Sequence, residues 1–83
     1  MTIKETESRL STISQGNLVR ICTLNVGREL AGRMTSLGLT PGATLRVLQN
    51  YGHGPIIIIV RGTHVALGRG EAEKLIVTPT EAE

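Results

Sequence analysis

The sequence predicts a mainly β fold: a small, partly open barrel of five short strands, with one α-helix over about residues 28–37 and a short helical turn over about residues 69–74. Three observations carry this expectation. Ten glycines cut the 83-residue chain into short pieces, several of them rich in β-branched residues. Ile, Val and Leu together supply 24 residues, too apolar a content for a disordered chain. Only residues 28–37 repeat their apolar side chains at helical spacing. A chain of this length has room for one domain, expected over residues 8–78 with polar tails at 1–7 and 79–83.

The elements follow in order. Residues 16–23 read as the first strand, with Val19 and Ile21 pointing one way and Arg20 the other. In the helix, Leu30, Met34 and Leu37 fall at i, i+4 and i+7, opposite Arg28, Arg33 and Ser36. Gly32 weakens that helix, by about 1 kcal/mol relative to alanine. Gly38 and Leu39 have the order of a Schellman stop, a left-handed residue followed by an apolar contact. Thr40-Pro41-Gly42-Ala43 has the chemistry of a type II turn. It launches a second strand over residues 44–49, with Leu45 and Val47 inward. Residues 50–55 form a loop, and Pro55 marks the start of a third strand over 56–61. Arg61-Gly62-Thr63-His64 predicts a two-residue hairpin of type II′ with Gly62 first. A fourth strand runs over 64–67 with Val65 and Leu67 inward, and a fifth over 75–77. The expected core is Leu30, Met34, Leu37, Leu45, Val47, Ile56, Ile58, Val60, Val65 and Leu67.

Composition narrows the function. The longest apolar run, residues 56–60, is far short of the roughly 20 residues that span a membrane as a helix. No basic-then-apolar leader opens the chain, and a single cysteine, Cys22, excludes an internal disulfide, so a cytoplasmic protein is expected. Tyr51 is the sole aromatic residue, too little for the stacking platforms of single-strand nucleic-acid modules. The chain has no Asp, which removes the usual calcium loops. Between residues 8 and 80, eight basic residues face three acidic ones, Glu29, Glu71 and Glu73, leaving that stretch at +5. Seven of the eight are Arg, suited to carboxylate and phosphate partners. A solvated basic surface and an acidic partner both account for that excess.

Catalytic and metal chemistry find little to work with. Cys22, His53 and His64 are the soft ligands besides the two thioethers, and none is spaced as a local metal motif. Cys22 reads as a small filler on a strand, His53 as a solvated loop residue and His64 as an outward strand residue. The three glutamates near helix termini are accounted for by capping and the helix dipole. The glycine-rich 52–55 loop lacks the Lys and Ser/Thr of a phosphate-binding loop. No active site, metal site or cofactor is expected.

Two blocks nevertheless carry a resemblance. Gly27-Arg28-Glu29-Leu30, Arg33-Met34 and Leu37-Gly38-Leu39-Thr40-Pro41-Gly42 form the first. Gly54-Pro55-Ile56, Val60-Arg61-Gly62-Thr63, Val65-Ala66-Leu67-Gly68-Arg69 and Glu71-Ala72, closed by Ile76-Val77, form the second. In this order and spacing, across residues 8–78, they resemble the ferrous iron transport protein A (FeoA) family. The resemblance implies an SH3-like barrel and a cytoplasmic accessory role in ferrous iron uptake. Its implied partner is FeoB, a membrane iron permease with a cytosolic GTPase domain, through which alone the chain would meet a membrane. The same barrel is appended to iron-dependent repressors of the diphtheria-toxin type, so a regulatory module of a transcription system is the alternative, and a weak transition-metal carrier a third. Nucleic acid is not an expected partner, and self-association stays open.

The chain departs from the family at two places. Family members commonly carry polar residues at the positions of Ile57 and Ile59, and a helix former at that of Gly32. If Ile56, Ile58 and Val60 face the core, pleating puts Ile57 and Ile59 on the other face, with Arg61 next along it. Two readings fit this apolar spot: cover by residues 10–13 or the helix, or contact with a second copy or a partner. The candidate partner-binding residues are therefore Arg28, Arg33, Ile57, Ile59 and Arg61.

Overall fold

Alternation and helical spacing become six strands and two helices in the computed structural model, which describes residues 7–81. Most of the expected tails, residues 1–6 and 82–83, lies outside the described residues. The elements are β1 (Ser8–Arg9), β2 (Leu18–Leu24), α1 (Arg28–Ser36), β3 (Thr44–Gln49), β4 (Ile56–Val60), β5 (Thr63–Leu67), α2 (Arg69–Ala72) and β6 (Leu75–Pro79), with a 3-10 turn over Leu10–Thr12. All ladders are antiparallel, in the order β1-β6-β2-β3-β4-β5. The sixth strand, absent from the sequence reading, is β1. Its two residues are too few to show a period, and they pair only with Val77 and Ile76 of β6. The last strand continues past residue 77 because Thr78 and Pro79 pair with Arg20 and Val19.

The core is aliphatic and continuous. Leu10, Val19, Ile21, Met34, Leu39, Leu45, Val47, Ile56, Ile58, Val60, Leu67, Leu75 and Val77 are all but inaccessible to solvent, and no polar side chain is buried among the described residues. Eight of the ten expected core residues are buried; Leu30 and Leu37 are not. These two lie half-buried against the core, so Met34 is the one fully buried residue of α1. A nine-residue helix resting on the barrel through one stripe keeps its flanking positions partly wet. Leu39, just past the helix, is buried instead.

The chain leaves α1 through the predicted stop. Gly38 has φ +88°, its N–H donates to Thr35 O at 3.0 Å, and the Leu39 N–H donates to Met34 O at 2.9 Å. The type II turn follows, with Gly42 at φ +92° and the Ala43 N–H donating to Thr40 O at 2.9 Å. It is held against β2, where the Gly42 N–H donates to Ile21 O at 2.7 Å and the Ile21 N–H to Ala43 O at 2.8 Å.

The β4–β5 hairpin corrects the expected turn. Val60 pairs with Thr63, so the two central residues are Arg61 and Gly62. Both have positive φ, 54° and 76°, which makes the turn type I′ and not II′. In this register all five residues of β4 find partners in β5, Ile56 opposite Leu67 and Ile58 opposite Val65. The expected turn would have pushed Ile56 opposite Arg69, beyond the strand. Full pairing of the apolar strand decided the turn.

A sheet ordered this way has β1 and β5 at its two ends, and polar side chains close the gap between the segments beside them. Asn50, after β3, donates from Nδ2 to Ser11 O at 3.1 Å and to Ile13 O at 2.8 Å. Its Oδ1 accepts from Arg69 of α2 at 2.8 Å and from the Gly52 N–H at 3.0 Å. Arg69 also donates to Ser11 O at 3.2 Å. On the other side, Arg33 of α1 is ion-paired to Glu71 of α2, and Glu71 Oε1 accepts the Gly68 N–H at 3.0 Å.

Three stability outcomes follow from this packing. Leu39→Ala should cost about 2–5 kcal/mol and Leu37→Ala only about 1–2 kcal/mol, because the second side chain is half-exposed; urea unfolding with an unchanged m-value checks the order. Asn50→Ala removes four hydrogen bonds at once and should cost about 1–3 kcal/mol in the same assay. Gly32→Ala should gain about 0.5–1 kcal/mol, since a Cβ there meets no atom within 4 Å and the helix no longer orders a glycine; a thermal melt reads the gain.

Candidate partner-binding groove

Register across four strands builds the outer face opposite the core. Leu18 of β2 sits opposite Arg46 of β3, Arg46 opposite Ile59 of β4, and Ile59 opposite His64 of β5. The ladder between β3 and β4 shifts between Val47 and Gln49, so Leu48 is the extra residue of a bulge and lies exposed beside this row. Where β4 reaches the Thr40–Ala43 turn, the surface dips into a groove of about 890 Å³. Apolar Leu18, Pro41, Leu48 and Ile59 line it, together with Arg46 and Arg61, and no acidic residue does.

Arg61 also borders a second, smaller groove of about 240 Å³, shared with Thr35 and Gly38 at the end of α1 and with Thr63. Its side chain is thus the wall between the two depressions. Among the described residues that side chain makes no hydrogen bond or ion pair. Arg46 differs, since its guanidinium donates to Gly16 O at 2.8 Å.

The structure brings together only part of the candidate set. Ile59 and Arg61 line the same groove. Ile57 occupies the same face of β4 between Gln49 and Ala66, half-buried and outside the groove. Arg28 and Arg33 are exposed on α1 and line neither depression, and Arg33 is engaged by Glu71. At Ile59 the expected cover is not there: Leu10 is inside the core and Ile13 packs against it, while Leu30 of α1 and Leu37 at its end pack against the core, and neither segment lines the groove. Arg46 and Leu48 were accessible to the alternation argument, being the outward residues between Leu45, Val47 and Gln49. Leu18 and Pro41 join them only through pairing of distant strands.

The soft ligands stay apart. Cys22 is half-buried at the β2 bulge, His53 is in the β3–β4 loop and His64 is exposed on β5. Among the described residues no group of three or more His, Cys, Asp or Glu could hold a metal ion, and no helix is long and apolar enough to cross a membrane.

The model of the FeoA domain matches residues 8–79 of this chain. The chain belongs to the FeoA family. A protein of Methanocaldococcus jannaschii named "Putative Fe(2+) transport protein A" is 33% identical over 72 residues, which span 87% of each chain. The crystal structure of an iron uptake regulatory protein (FeoA) superposes with a TM-score of 0.84 at 35% identity, over 89% of this chain and 99% of the other. A manganese-dependent transcriptional repressor superposes with a TM-score of 0.81 at 20% identity, over 89% of this chain and 42% of the repressor, a likeness of fold alone. The architecture is therefore the small SH3-like β fold of FeoA domains, linked to ferrous iron transport.

Proposed function

We propose that this FeoA-family protein is a non-catalytic, cytoplasmic accessory of ferrous iron uptake that binds the FeoB-type iron permease and modulates its GTPase domain. The observation that carries the reading is the groove itself. It is open, lined by apolar and polar surface in nearly equal parts, rimmed by two arginines and free of acid, on a domain of a transport-linked family. Apolar surface bordered by polar groups is what protein partners bury; Ile59 lies in the groove and Ile57 beside it on the same face of β4. Arg28 and Arg33 stand outside the groove; the exposed charge of Arg28 speeds encounter with an acidic surface, while Arg33 is paired with Glu71 and would join the contact by exchanging that partner. No nucleophile with an adjacent base lines the groove, so its chemistry is that of recognition.

The test is retention of the permease from solubilised membranes on the immobilised protein, with and without a GTP analogue. The wild-type chain should retain it and alter its rate of GTP hydrolysis. The double variant Ile57→Thr, Ile59→Thr keeps β propensity while removing apolar surface, so retention should fall while the melting temperature moves by a few degrees at most. A collapsed melt would return both side chains to the core and remove them from the contact. Steep, salt-dependent binding to duplex DNA without permease retention would favour the repressor-type reading.

A further inference from the structure

Arg61 combines three features that an ordinary surface arginine lacks. Its backbone is left-handed, φ 54°, at the first central position of the I′ turn, where Asn, Asp and Gly are the favoured residues and a long side chain is disfavoured by Cβ sterics. Its stem passes over Gly38: a Cβ built on that glycine would stand 3.2 Å from Arg61 Cδ and 3.6 Å from Nε. Its guanidinium lies between two depressions lined by no carboxylate and has no partner of its own among the described residues. The backbone fixes where the side chain leaves the turn, and the bare glycine lets it cross the end of α1. An arginine so held loses little freedom when it binds, and its planar fork matches a carboxylate through two parallel hydrogen bonds.

We propose that Arg61 is a preorganised carboxylate reader: the groove takes an extended segment of a partner protein that sets an aliphatic side chain against Ile59 and a Glu or Asp on the Arg61 guanidinium. The inference rests on the reading that this face binds a protein, and it specifies the chemistry of the segment. Charge complementarity decides the occupant, because the groove offers the unengaged Arg61 guanidinium and no acid. Leu18, Leu48 and Ile59 add an apolar requirement that a phosphate group alone does not meet. The local rule broken at residue 61 serves recognition, since the turn by itself would be better made with Asn-Gly.

The probe is a blocked peptide, Glu-Leu-Ile-Glu-Leu-Glu, titrated into the ¹⁵N-labelled full chain, beside its all-Gln counterpart and inorganic phosphate. The amides of Ile59, Arg61 and Gly62 should shift and saturate with the Glu peptide, with the Gln peptide about three- to tenfold weaker and the gap narrowing as salt rises. Arg61→Asn should abolish the Glu preference while the melting temperature holds or rises, because Asn-Gly suits the turn. Opposite signs for binding and stability separate recognition from a structural role. Equal affinity for the two peptides, silent groove amides, a Glu preference that survives Arg61→Asn, or phosphate shifting the same amides as tightly as the Glu peptide would each overturn the proposal. Permease retention keeps the two readings distinct. Equal retention by wild type and Arg61→Asn sinks the carboxylate reader alone, whereas loss of wild-type retention with the peptide preference intact sinks only the permease as partner.

Discussion

The Asn50 carboxamide and the Arg69 guanidinium join three segments that no β ladder connects: the N-terminal 3-10 turn, the loop after β3 and the helix α2. Both Asn50 donor hydrogens and two acceptor positions on its oxygen are used. The need arises from topology. With β1 and β5 at opposite ends of the sheet, the mouth of the barrel beside Leu10 is closed by side chains. Leu10 is fully buried on a turn that Asn50 holds through the carbonyls of Ser11 and Ile13, directly after the pairing of Ser8 and Arg9 with β6. A core this small, entirely aliphatic and without an aromatic to span a gap, tolerates few openings.

A second anchor sets the opposite corner. The Met34 carbonyl accepts the N–H groups of both Leu37, at 3.1 Å, and Leu39, at 2.9 Å, so the end of α1 is wound tightly before the chain turns back. That geometry buries Leu39, brings Pro41 and Gly42 alongside β2, and leaves Gly38 bare beneath Arg61. The groove is a consequence. One side comes from the turn after the helix and the other from the outer face of the strands, and the two meet because β2 binds the turn through its own backbone.

The two faces of β4 differ in burial. Ile56, Ile58 and Val60 are sealed in the core, while Ile57 and Ile59 stay half-buried on the outside, Ile59 opposite Arg46 of β3 and Ile57 opposite Gln49.

Strand alternation, one helical stripe and the glycine-proline punctuation determined the order and type of nearly every element, because those signals are local: each depends on residues within one turn or one strand. Gly38 and Gly42 took their left-handed positions for the same reason. The outward placement of Ile57 and Ile59 followed from pleating alone. What only the tertiary structure decided were matters of pairing between distant segments. The two-residue β1 has no period to detect, and it exists because β6 presents an edge to it. Leu37 sits half-exposed and Leu39 buried because the angle at which α1 meets the barrel, and not helical spacing, selects the buried positions. The I′ turn arose from the demand that all five residues of β4 be paired. The groove, which joins Leu18, Pro41, Arg46, Leu48, Ile59 and Arg61, assembles residues more than forty positions apart, and no local pattern encodes their meeting.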